Sequence, residues 1–228
     1  MYTLYIANKN YSSWSLRPWV LMRELSIPFD EKIFPFEGST NGEAFRTFSP
    51  SGNVPCLHDG ALIVWDSLAI AEYLAERHRD IWPEDRATRA WARCASAEMH
   101  SGFAELRAQR SMHCGFRIRV RHTAPALQRD IDRIDALWCE GLQRFGGPFL
   151  AGAKFTAVDA FYAPVAFRVQ TYELPFSAQA LAYAKRLLAL ESMRNWEAAA
   201  LQEPWRETAH EETALKAGVL LADHRHTR

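Results

Sequence analysis

The chain passes from a strand to a helix through the stretch Tyr11-Ser12-Ser13-Trp14-Ser15-Leu16-Arg17-Pro18. Apolar residues alternate along residues 2–6 before this stretch, which is the pattern of a β-strand. After it, apolar residues recur at helical spacing from Leu16 to Leu25. Proline is tolerated in the first turn of a helix but not deeper, so Pro18 predicts a helix that begins near Ser15.

The serines at this predicted helix start are the first candidates for function: Ser12, Ser13 and Ser15. The first N–H groups of a helix lack partners within it and carry a partial positive charge, so they favour an anion. Serine hydroxyls there could hold an anionic sulfur or oxygen without reacting themselves. They could also be ordinary N-caps, which is the commonest role of serine before a helix. The local sequence leaves both interpretations open.

The composition is typical of a globular protein with a sizeable core. Of 228 residues, 48% are hydrophobic and 24% are charged. Lysine plus arginine and aspartate plus glutamate number 27 each, so bulk charge gives no reason to expect a nucleic acid or an acidic membrane as partner. The best apolar run, residues 157–169, is interrupted by Asp159, Pro164 and Arg168 and is too short to span a bilayer.

The cysteines are widely separated in the sequence, at Cys56, Cys94, Cys114 and Cys139. Their spacing indicates neither a zinc site nor a disulfide framework. The N-terminal region also lacks a basic start followed by a long apolar stretch, the pattern of a secretory signal. We therefore expect no metal and a reducing, cytoplasmic environment.

The N-terminal third predicts a mixed α/β domain. Strands are predicted at residues 2–7, 30–35, 54–58 and 62–64, and helices at residues 16–25, 43–48 and 67–79. Asp59-Gly60 joins the last two strands and is a strong hairpin signal. The order β-α-β-α-β-β-α makes the first two strands parallel and the hairpin pair antiparallel.

A polar break at residues 80–85 separates a domain of residues 1–79 from one of residues 86–228. The second domain is predicted to be all helical, with helices at residues 86–110, 126–145, 181–190 and 193–201 and no strand pattern. Arg117, Arg119 and Arg121 are interpreted as a solvated face. The charged tail after Pro204 is expected to fray.

Phe155-Thr156-Ala157-Val158-Asp159 predicts a further helix start in the second domain. Threonine followed three residues later by an acid, ahead of an apolar run, is the pattern of a capping box. Phe155 is placed to act as a hydrophobic staple. We interpret this motif as structural.

A second set of candidates surrounds the predicted hairpin. Asn53-Val54-Pro55 opens it, and Pro55 is either an ordinary trans edge proline or a cis proline that turns the neighbouring backbone groups outward toward an extended ligand. Asp66-Ser67 follows the hairpin at a helix start. These two are either plain caps or a site for a free amino-acid end, whose carboxylate suits Ser67 and whose ammonium suits Asp66.

The serine loop, Asn53-Val54-Pro55 and Asp66-Ser67-Leu68-Ala69-Ile70-Ala71-Glu72-Tyr73-Leu74 occur in this order ahead of a helical half. Together they resemble the glutathione transferase family, and the resemblance continues through Phe149-Leu150-Ala151-Gly152 and the capping motif. The serine loop is most similar to the serine-type, zeta-like bacterial branch. The resemblance implies an α/β thioredoxin-like N-terminal domain, an all-α C-terminal domain and a homodimer.

The resemblance also implies roles for the candidate residues, with glutathione as co-substrate. Asn53, Val54 and a cis Pro55 would bind the cysteinyl part of glutathione, and Asp66 and Ser67 its γ-glutamyl end. Ser12 stands where the family's thiol-activating serine is expected, with Ser13 as second choice and Ser15 as neighbour.

A small hydrophobic electrophile would lie against the helical domain. In the predicted helix at residues 86–110, Met99, Phe103 and Arg107 lie on one face, with His100 beside them, and Phe116 follows further along the chain. Core packing or dimer contacts explain these residues as well. The activities to consider are conjugation in detoxification, cis–trans isomerisation of maleylacetoacetate, disulfide or dehalogenation chemistry, and non-catalytic binding of ligands. Thiol–disulfide chemistry favours cysteine in the loop, where this chain has serine.

Overall fold

The computed structural model describes residues 1–36 and 41–225, without the side chain of Asn41. A mixed sheet of strand order β2-β1-β3-β4 carries the N-terminal part. Its elements are, in chain order, β1 Tyr2–Ile6, α1 Ser13–Glu24, β2 Phe29–Ile33, α2 Asn41–Arg46, β3 Cys56–Asp59, β4 Leu62–Trp65 and α3 Ser67–Ala75. β1 pairs in parallel with β2, and β3 pairs antiparallel with both β1 and β4. The predicted order of elements along this part of the chain, the parallel pairing of β1 with β2 and the antiparallel hairpin of β3 and β4 are confirmed.

The C-terminal part is mainly helical, as predicted. Its elements are α4 Arg86–Ser101, α5 Ala104–Gln109, β5 Phe116–Val120, α6 Pro125–Phe145, α7 Ala157–Tyr172, α8 Ala178–Leu188, α9 Glu191–Gln202, α10 Thr208–Lys216 and β6 Gly218–Asp223. The thioredoxin-like first domain and helical second domain are thus confirmed as a fold class. The domain limits at residues 79 and 86 remain a prediction.

Two strands in the C-terminal part contradict the expectation that it has none. β5 pairs antiparallel with β6, a segment more than ninety residues later in the chain. The alternation of Phe116, Ile118 and Val120 with Arg117 and Arg119 is the period-two pattern of a strand. From the sequence, we interpret the arginines of this segment as a solvated face. The pattern alone did not identify a strand, because a short strand needs a pairing partner and β6 is remote in sequence.

The tail after Pro204 also departs from the expectation that it frays. α10 and β6 follow that proline, and the Arg225 side chain is buried. Arg225 donates to the Tyr11 hydroxyl at 2.6 Å, so the end of the described chain is attached to the loop before α1. The residues 226–228 of the predicted tail lie outside the described ranges.

α7 occupies the centre of the molecule and packs against α1, α4 and α8. Nearly all of its side chains are buried, including both the capping residue Asp159 and Arg168. α1 is also buried along most of its length, between the sheet and α7. This double packing fixes the N-terminal end of α1, where the serine loop lies.

Within the described ranges, no helix combines the length and the apolar character needed to cross a bilayer.

Candidate active site

Ser12 is the N-cap of α1, and Ser13 is its first helical residue. The Ser12 hydroxyl accepts from the Ser15 backbone N–H at 3.4 Å and donates to Ser15 Oγ at 2.7 Å. The helix starts slightly earlier than the predicted Ser15, so Pro18 lies beyond its first turn. The first turn, residues 13–16, carries no acidic side chain in the sequence. The positive end of α1 therefore lacks an anion from its own first turn.

Ser12 and Ser13 open onto a cavity of about 360 Å³, here called the serine cavity. Its walls come from the serine loop, from α5 and α7, and from α10. The lining residues are Tyr11, Ser12, Ser13, Trp14, Phe36, Arg107, Ala108, Ser111, Met112, Arg168, Ala209, His210 and Thr213.

Ser15 differs from the other loop serines because it is fully buried. Its Oγ accepts from the Ala7 backbone N–H at 3.2 Å, which ties the helix start to the residue after β1. It lies behind Ser12, in contact with the Ser12 hydroxyl. The geometry therefore gives Ser15 a positioning contact to Ser12 and no direct access to a substrate.

All the predicted glutathione-binding residues line a single further cavity of about 290 Å³, here called the hairpin cavity. Its walls are Trp14, Ser51, Asn53, Val54, Pro55, Trp65, Asp66, Ser67 and His100. The Val54–Pro55 peptide bond is cis. Trp14 lines both cavities, so the hairpin cavity adjoins the serine cavity at this side chain.

Asp66 caps α3 and binds a histidine from the other domain. Its Oδ1 accepts from the Leu68 and Ala69 backbone N–H groups at 2.8 and 3.3 Å. Its Oδ2 lies 3.4 Å from His100 Nε2, and within the described chain His100 Nδ1 is buried without a partner. Burial lowers the pKa of His100, against the opposing effect of the Asp66 charge.

Arg17 is a functional candidate that sequence reasoning missed. Its side chain is buried, and its guanidinium donates to Ser67 Oγ and to the Met99 carbonyl oxygen, both at 3.4 Å. The guanidinium carbon lies 4.1 Å from the centre of the Trp14 ring. Burial, and then the nearby arginines, lower its pKa well below the usual range. An arginine within an amphipathic helix pattern is normally assigned to the solvent-exposed face. The sequence therefore gave no sign that Arg17 is buried beside the site.

The predicted electrophile residues do not share one face. α4 ends at Ser101, and Phe103 adopts a left-handed backbone conformation with φ of 57° between α4 and α5. The spacing of four residues that grouped Met99 with Phe103 and Arg107 therefore does not run along one helix. Met99, Phe103 and Phe116 are buried in the core and line neither cavity, which favours the interpretation of these residues as core packing.

His100 and Arg107 do reach cavities, but different ones. His100 lines the hairpin cavity and Arg107 the serine cavity. Arg107 donates to the carbonyl oxygen of Gly102 at 3.0 Å, to that of His100 at 3.2 Å and to that of Met99, at the C-terminal end of α4. It therefore caps that helix end while facing the cavity.

Two lining residues of the serine cavity come from segments that sequence reasoning assigned otherwise. Arg168 on α7 interrupted an apolar run, which is the signal that could have identified it. His210 on α10 came from the tail expected to fray, and its Nδ1 lies 2.6 Å from Glu207 Oε2.

Tyr11 carries a further hydroxyl in this loop, and that hydroxyl is hydrogen-bonded to the C-terminal segment. It donates to Glu211 Oε1 at 2.6 Å and accepts from Arg225 at 2.6 Å. Burial and the bond to Glu211 raise its pKa to about 12. Tyr11 is therefore a neutral side chain that attaches α10 to the serine loop.

The described residues contain no group of three or more histidine, cysteine or acidic side chains arranged to hold a metal ion. Cys56, the cysteine nearest the hairpin cavity in sequence, is buried and donates to the Phe48 carbonyl oxygen at 3.4 Å. Burial raises the pKa of its thiol.

Comparisons with known proteins bear on the family and the fold. Residues 11–77 match the family model for the N-terminal domain of glutathione S-transferase. The chain is 30% identical over 160 residues to glutathione S-transferase GstB of Escherichia coli, covering 67% of this chain and 74% of that one. A dichloromethane dehalogenase of Methylorubrum extorquens is 40% identical over 58 residues, which cover 25% of this chain and a fifth (20%) of the dehalogenase.

Solved structures support the fold. A glutathione transferase homologue from Burkholderia, determined with bound glutathione, has a TM-score of 0.65 at 22% identity over 87% of this chain and 97% of its own. Glutathione transferase Omega 3C from Trametes versicolor also has a TM-score of 0.65, at 20% identity over 94% and 90% of the two chains. At these identities the likeness concerns the fold. Taken with the relative from Escherichia coli, these findings mean that the chain belongs to the glutathione S-transferase family.

Proposed function

We propose that the protein is a glutathione transferase in which the Ser12 hydroxyl holds the glutathione sulfur as a thiolate. The observation that carries the proposal is the position of Ser12. It caps α1 at the edge of the serine cavity and lies beside Trp14, the residue common to both cavities. A glutathione with its peptide in the hairpin cavity can direct its sulfur past Trp14 toward Ser12.

The hairpin cavity offers the polar groups that a tripeptide with two free ends requires. The Ser67 hydroxyl suits a carboxylate. The Asp66 carboxylate, whose Oδ1 already accepts from the first N–H groups of α3, suits an ammonium at Oδ2. His100 adds a further polar side chain to its wall. Val54 borders the same space, next to the cis peptide bond, and would supply backbone groups for the cysteinyl part.

The energy required for thiol activation is within reach of the serine loop. Lowering a thiol pKa by about two units needs about 2.7 kcal/mol of preference for the charged form. A hydroxyl that donates to a charged acceptor contributes about 1.5–3 kcal/mol, and a helix N-terminus about 0.3–1 kcal/mol. The sum meets the requirement without a metal or a general base.

Ser15 completes this arrangement as a positioning residue. When Ser12 donates to the thiolate, its oxygen can accept from Ser15, because either hydroxyl of a pair 2.7 Å apart can be the donor. Ala7 N–H already donates to Ser15 Oγ and leaves the Ser15 proton free to turn toward Ser12. Ser13 lines the same cavity and is the second candidate for the thiolate contact.

The protein also functions, in this proposal, as a cytoplasmic homodimer in detoxification. The edge strand β4 exposes Leu62, Ile63 and Trp65 to 54%, 40% and 45%. An edge strand with apolar side chains on both faces favours a partner. Ile63→Asp should convert a dimer into a monomer in sedimentation equilibrium, and a monomeric wild type would reject this part.

The thiolate absorbance of bound glutathione, titrated against pH, tests the serine assignment. In Ser12→Ala we expect the midpoint to rise by at least one unit, with turnover of a neutral chlorodinitrobenzene at pH 7 falling about tenfold. Ser13→Ala is the matched variant and should leave the midpoint unchanged. A shift in Ser13→Ala alone would transfer the role to Ser13. An unchanged midpoint in both would reject thiol activation by a serine, and absence of glutathione binding by calorimetry would reject the proposal as a whole.

A further inference from the structure

Arg168 brings a buried positive charge to the serine cavity. Its side chain is only 3% exposed, and it lines the cavity from α7. Its Nε donates to the Arg110 carbonyl oxygen at 2.7 Å and its Nη1 to the Pro164 carbonyl oxygen at 3.3 Å. Within residues 1–36 and 41–225, no carboxylate forms an ion pair with it. Carbonyl dipoles offset only part of such a charge.

Arg107 brings a second guanidinium to the same cavity from α5. Its guanidinium donates to the carbonyl oxygens at the end of α4 and lies 4.7 Å from the centre of the Trp14 ring, and no carboxylate of the described chain is paired with it. Asp130 raises the pKa of Arg107 by its charge, but its Oδ2 accepts from the Leu106 backbone N–H at 3.0 Å. Burial has the larger and opposite effect and lowers this pKa.

The carboxylates around the serine cavity are already engaged with other groups. Glu207 lies 2.6 Å from His210. Glu211 accepts from Tyr11 at 2.6 Å and lies 2.7 Å from Arg225. They are therefore not available to neutralise the two arginines of the cavity.

A third arginine, Arg17, lies against the Trp14 ring and adds to the positive charge near the serine cavity. Burial lowers the pKa of Arg17, Arg107 and Arg168, and like-charge repulsion from Arg107 lowers those of Arg17 and Arg168 further. Buried guanidiniums without carboxylates are costly, and an incoming anion would relieve that cost.

We propose that the serine cavity selects electrophiles that carry a carboxylate, which Arg107 and Arg168 bind while the reacting carbon faces Ser12. The described hydrogen bonds of Arg168 come from Nε and Nη1, and those of Arg107 from Nε and Nη2. Arg168 Nη2 and Arg107 Nη1 can therefore each donate to a carboxylate, which would also orient the substrate. This inference rests on the proposed function. In the proposed function the γ-glutamyl carboxylate of glutathione lies at Ser67 in the hairpin cavity, and the two guanidiniums that line the serine cavity face the second substrate.

A suitable reaction is aromatic substitution of chloride in chlorodinitrobenzoate. The thiolate sulfur forms a bond to the carbon that bears chlorine, the carbon–chlorine bond breaks, and chloride leaves with its electron pair. The carboxylate takes no part in these bond changes, so it reports only on binding and orientation. The matching amide, chlorodinitrobenzamide, has nearly the same size and is neutral.

The test compares these two electrophiles with the wild-type protein, each rate divided by the uncatalysed rate with glutathione. We expect kcat/KM for the carboxylate to exceed that for the amide at least tenfold, about 1.4 kcal/mol. Equal values would overturn the inference and leave the proposed function intact. If neither compound reacts while the neutral chlorodinitrobenzene does, the inference is also overturned. If none of the three reacts, the proposed function itself fails.

Substitutions test which residues bind the carboxylate of the electrophile. Arg168→Gln and Arg107→Gln should each raise KM for the carboxylate about tenfold and leave KM for glutathione and for the amide unchanged. Arg110→Gln is the matched control, because Arg110 is also a buried arginine but its guanidinium donates to Gln109 and His122 carbonyl oxygens away from the cavity. A rise in the glutathione KM equal to that of the carboxylate would assign the arginines to glutathione and overturn the inference.

Both arginines also hold backbone carbonyl groups, so folding needs its own measurement. Calorimetry of dinitrobenzoate and dinitrobenzamide, which lack the leaving group, measures the preference in the wild-type protein saturated with S-methylglutathione. Dinitrobenzoate should bind at least tenfold more tightly. Equal affinities would overturn the inference even if every arginine variant were unfolded.

Discussion

The starts of α1 and α7 share a hydroxyl residue at the N-cap, and they differ in the charge of the residue three positions later. Each helix has a hydroxyl residue at its N-cap, Ser12 or Thr156. Three residues later α1 has Ser15 and α7 has Asp159. The Asp159 carboxylate accepts from the Thr156 backbone N–H at 3.0 Å and occupies the positive end of α7. The end of α1 has no such anion and borders a cavity.

This difference shows what decides whether a helix start can bind a ligand. At α7 the chain supplies its own anion, so the capping box serves stability alone. At α1 the corresponding position holds a neutral hydroxyl, and the partial positive charge remains available. Packing is similar in both cases, since Ser15 and Asp159 are each fully buried. The chemistry of one residue therefore separates a structural motif from a candidate catalytic one.

The largest effect is expected when α7 receives the α1 residue. Asp159→Ser removes the acceptor for Leu150 N–H, Thr156 N–H and the Tyr183 hydroxyl, which now bind at 2.9, 3.0 and 2.8 Å. Because buried donors left without partners cost about 1–3 kcal/mol each, we expect the free energy of unfolding to fall by about 4 kcal/mol. Urea denaturation measures it.

Asp132→Ser is the control for this change, because Asp132 is exposed and binds only Gln128 at 2.7 Å among its described contacts. Its loss should cost less than about 0.5 kcal/mol. Equal losses in the two variants would contradict the structural role of the α7 capping box.

The reciprocal exchange tests α1. Ser15→Asp should place a carboxylate at the positive end of α1, beside Ser12, and repel a thiolate there. We expect the midpoint of the bound glutathione thiol to rise by about two units, from about 6.5 to about 8.5, and turnover at pH 7 to fall about 25-fold with the thiolate fraction. Ser15→Asn, which has the same bulk without the charge, separates this electrostatic effect from crowding. The same loss in both variants would mean that the free helix end is not what activates the thiol.

The smallest effect is expected from trimming the α7 hydroxyl. Thr156→Ala should lower the free energy of unfolding by about 1 kcal/mol, which lowers Tm by about 2–4 °C for a chain of this size. Glutathione affinity, measured by calorimetry, should not change. A lowered affinity would show that the two helix starts are coupled, contrary to the separation drawn between them.

Motifs that are local in sequence predicted much of this molecule. The hairpin at Asp59-Gly60 and the start of α7 at Thr156 follow from turn chemistry and capping, which act within a few residues. The parallel pairing of β1 with β2 follows from the helix that connects them in the sequence. The serine loop likewise ends at a helix start, where Ser12 caps α1.

Features that need a remote partner escaped sequence reasoning. β5 is a strand because β6 lies beside it, and His210 reaches the serine cavity because Tyr11 and Arg225 attach the C-terminal segment. The break after Ser101 also depends on context, since Arg107 folds back to cap α4. Helical spacing alone predicted one continuous helix there.

By itself the sequence determined the order of elements in the N-terminal part, the hydroxyl caps of α1 and α7, and the set of residues that resembles a glutathione site. Only the tertiary structure decided that Ser15 is buried behind Ser12, that Met99 and Phe103 belong to the core, and that Arg107 and Arg168 share a cavity. The reason is physical: capping and turn formation act between neighbours in the chain. Burial and charge pairing depend on which distant segments fold against each other.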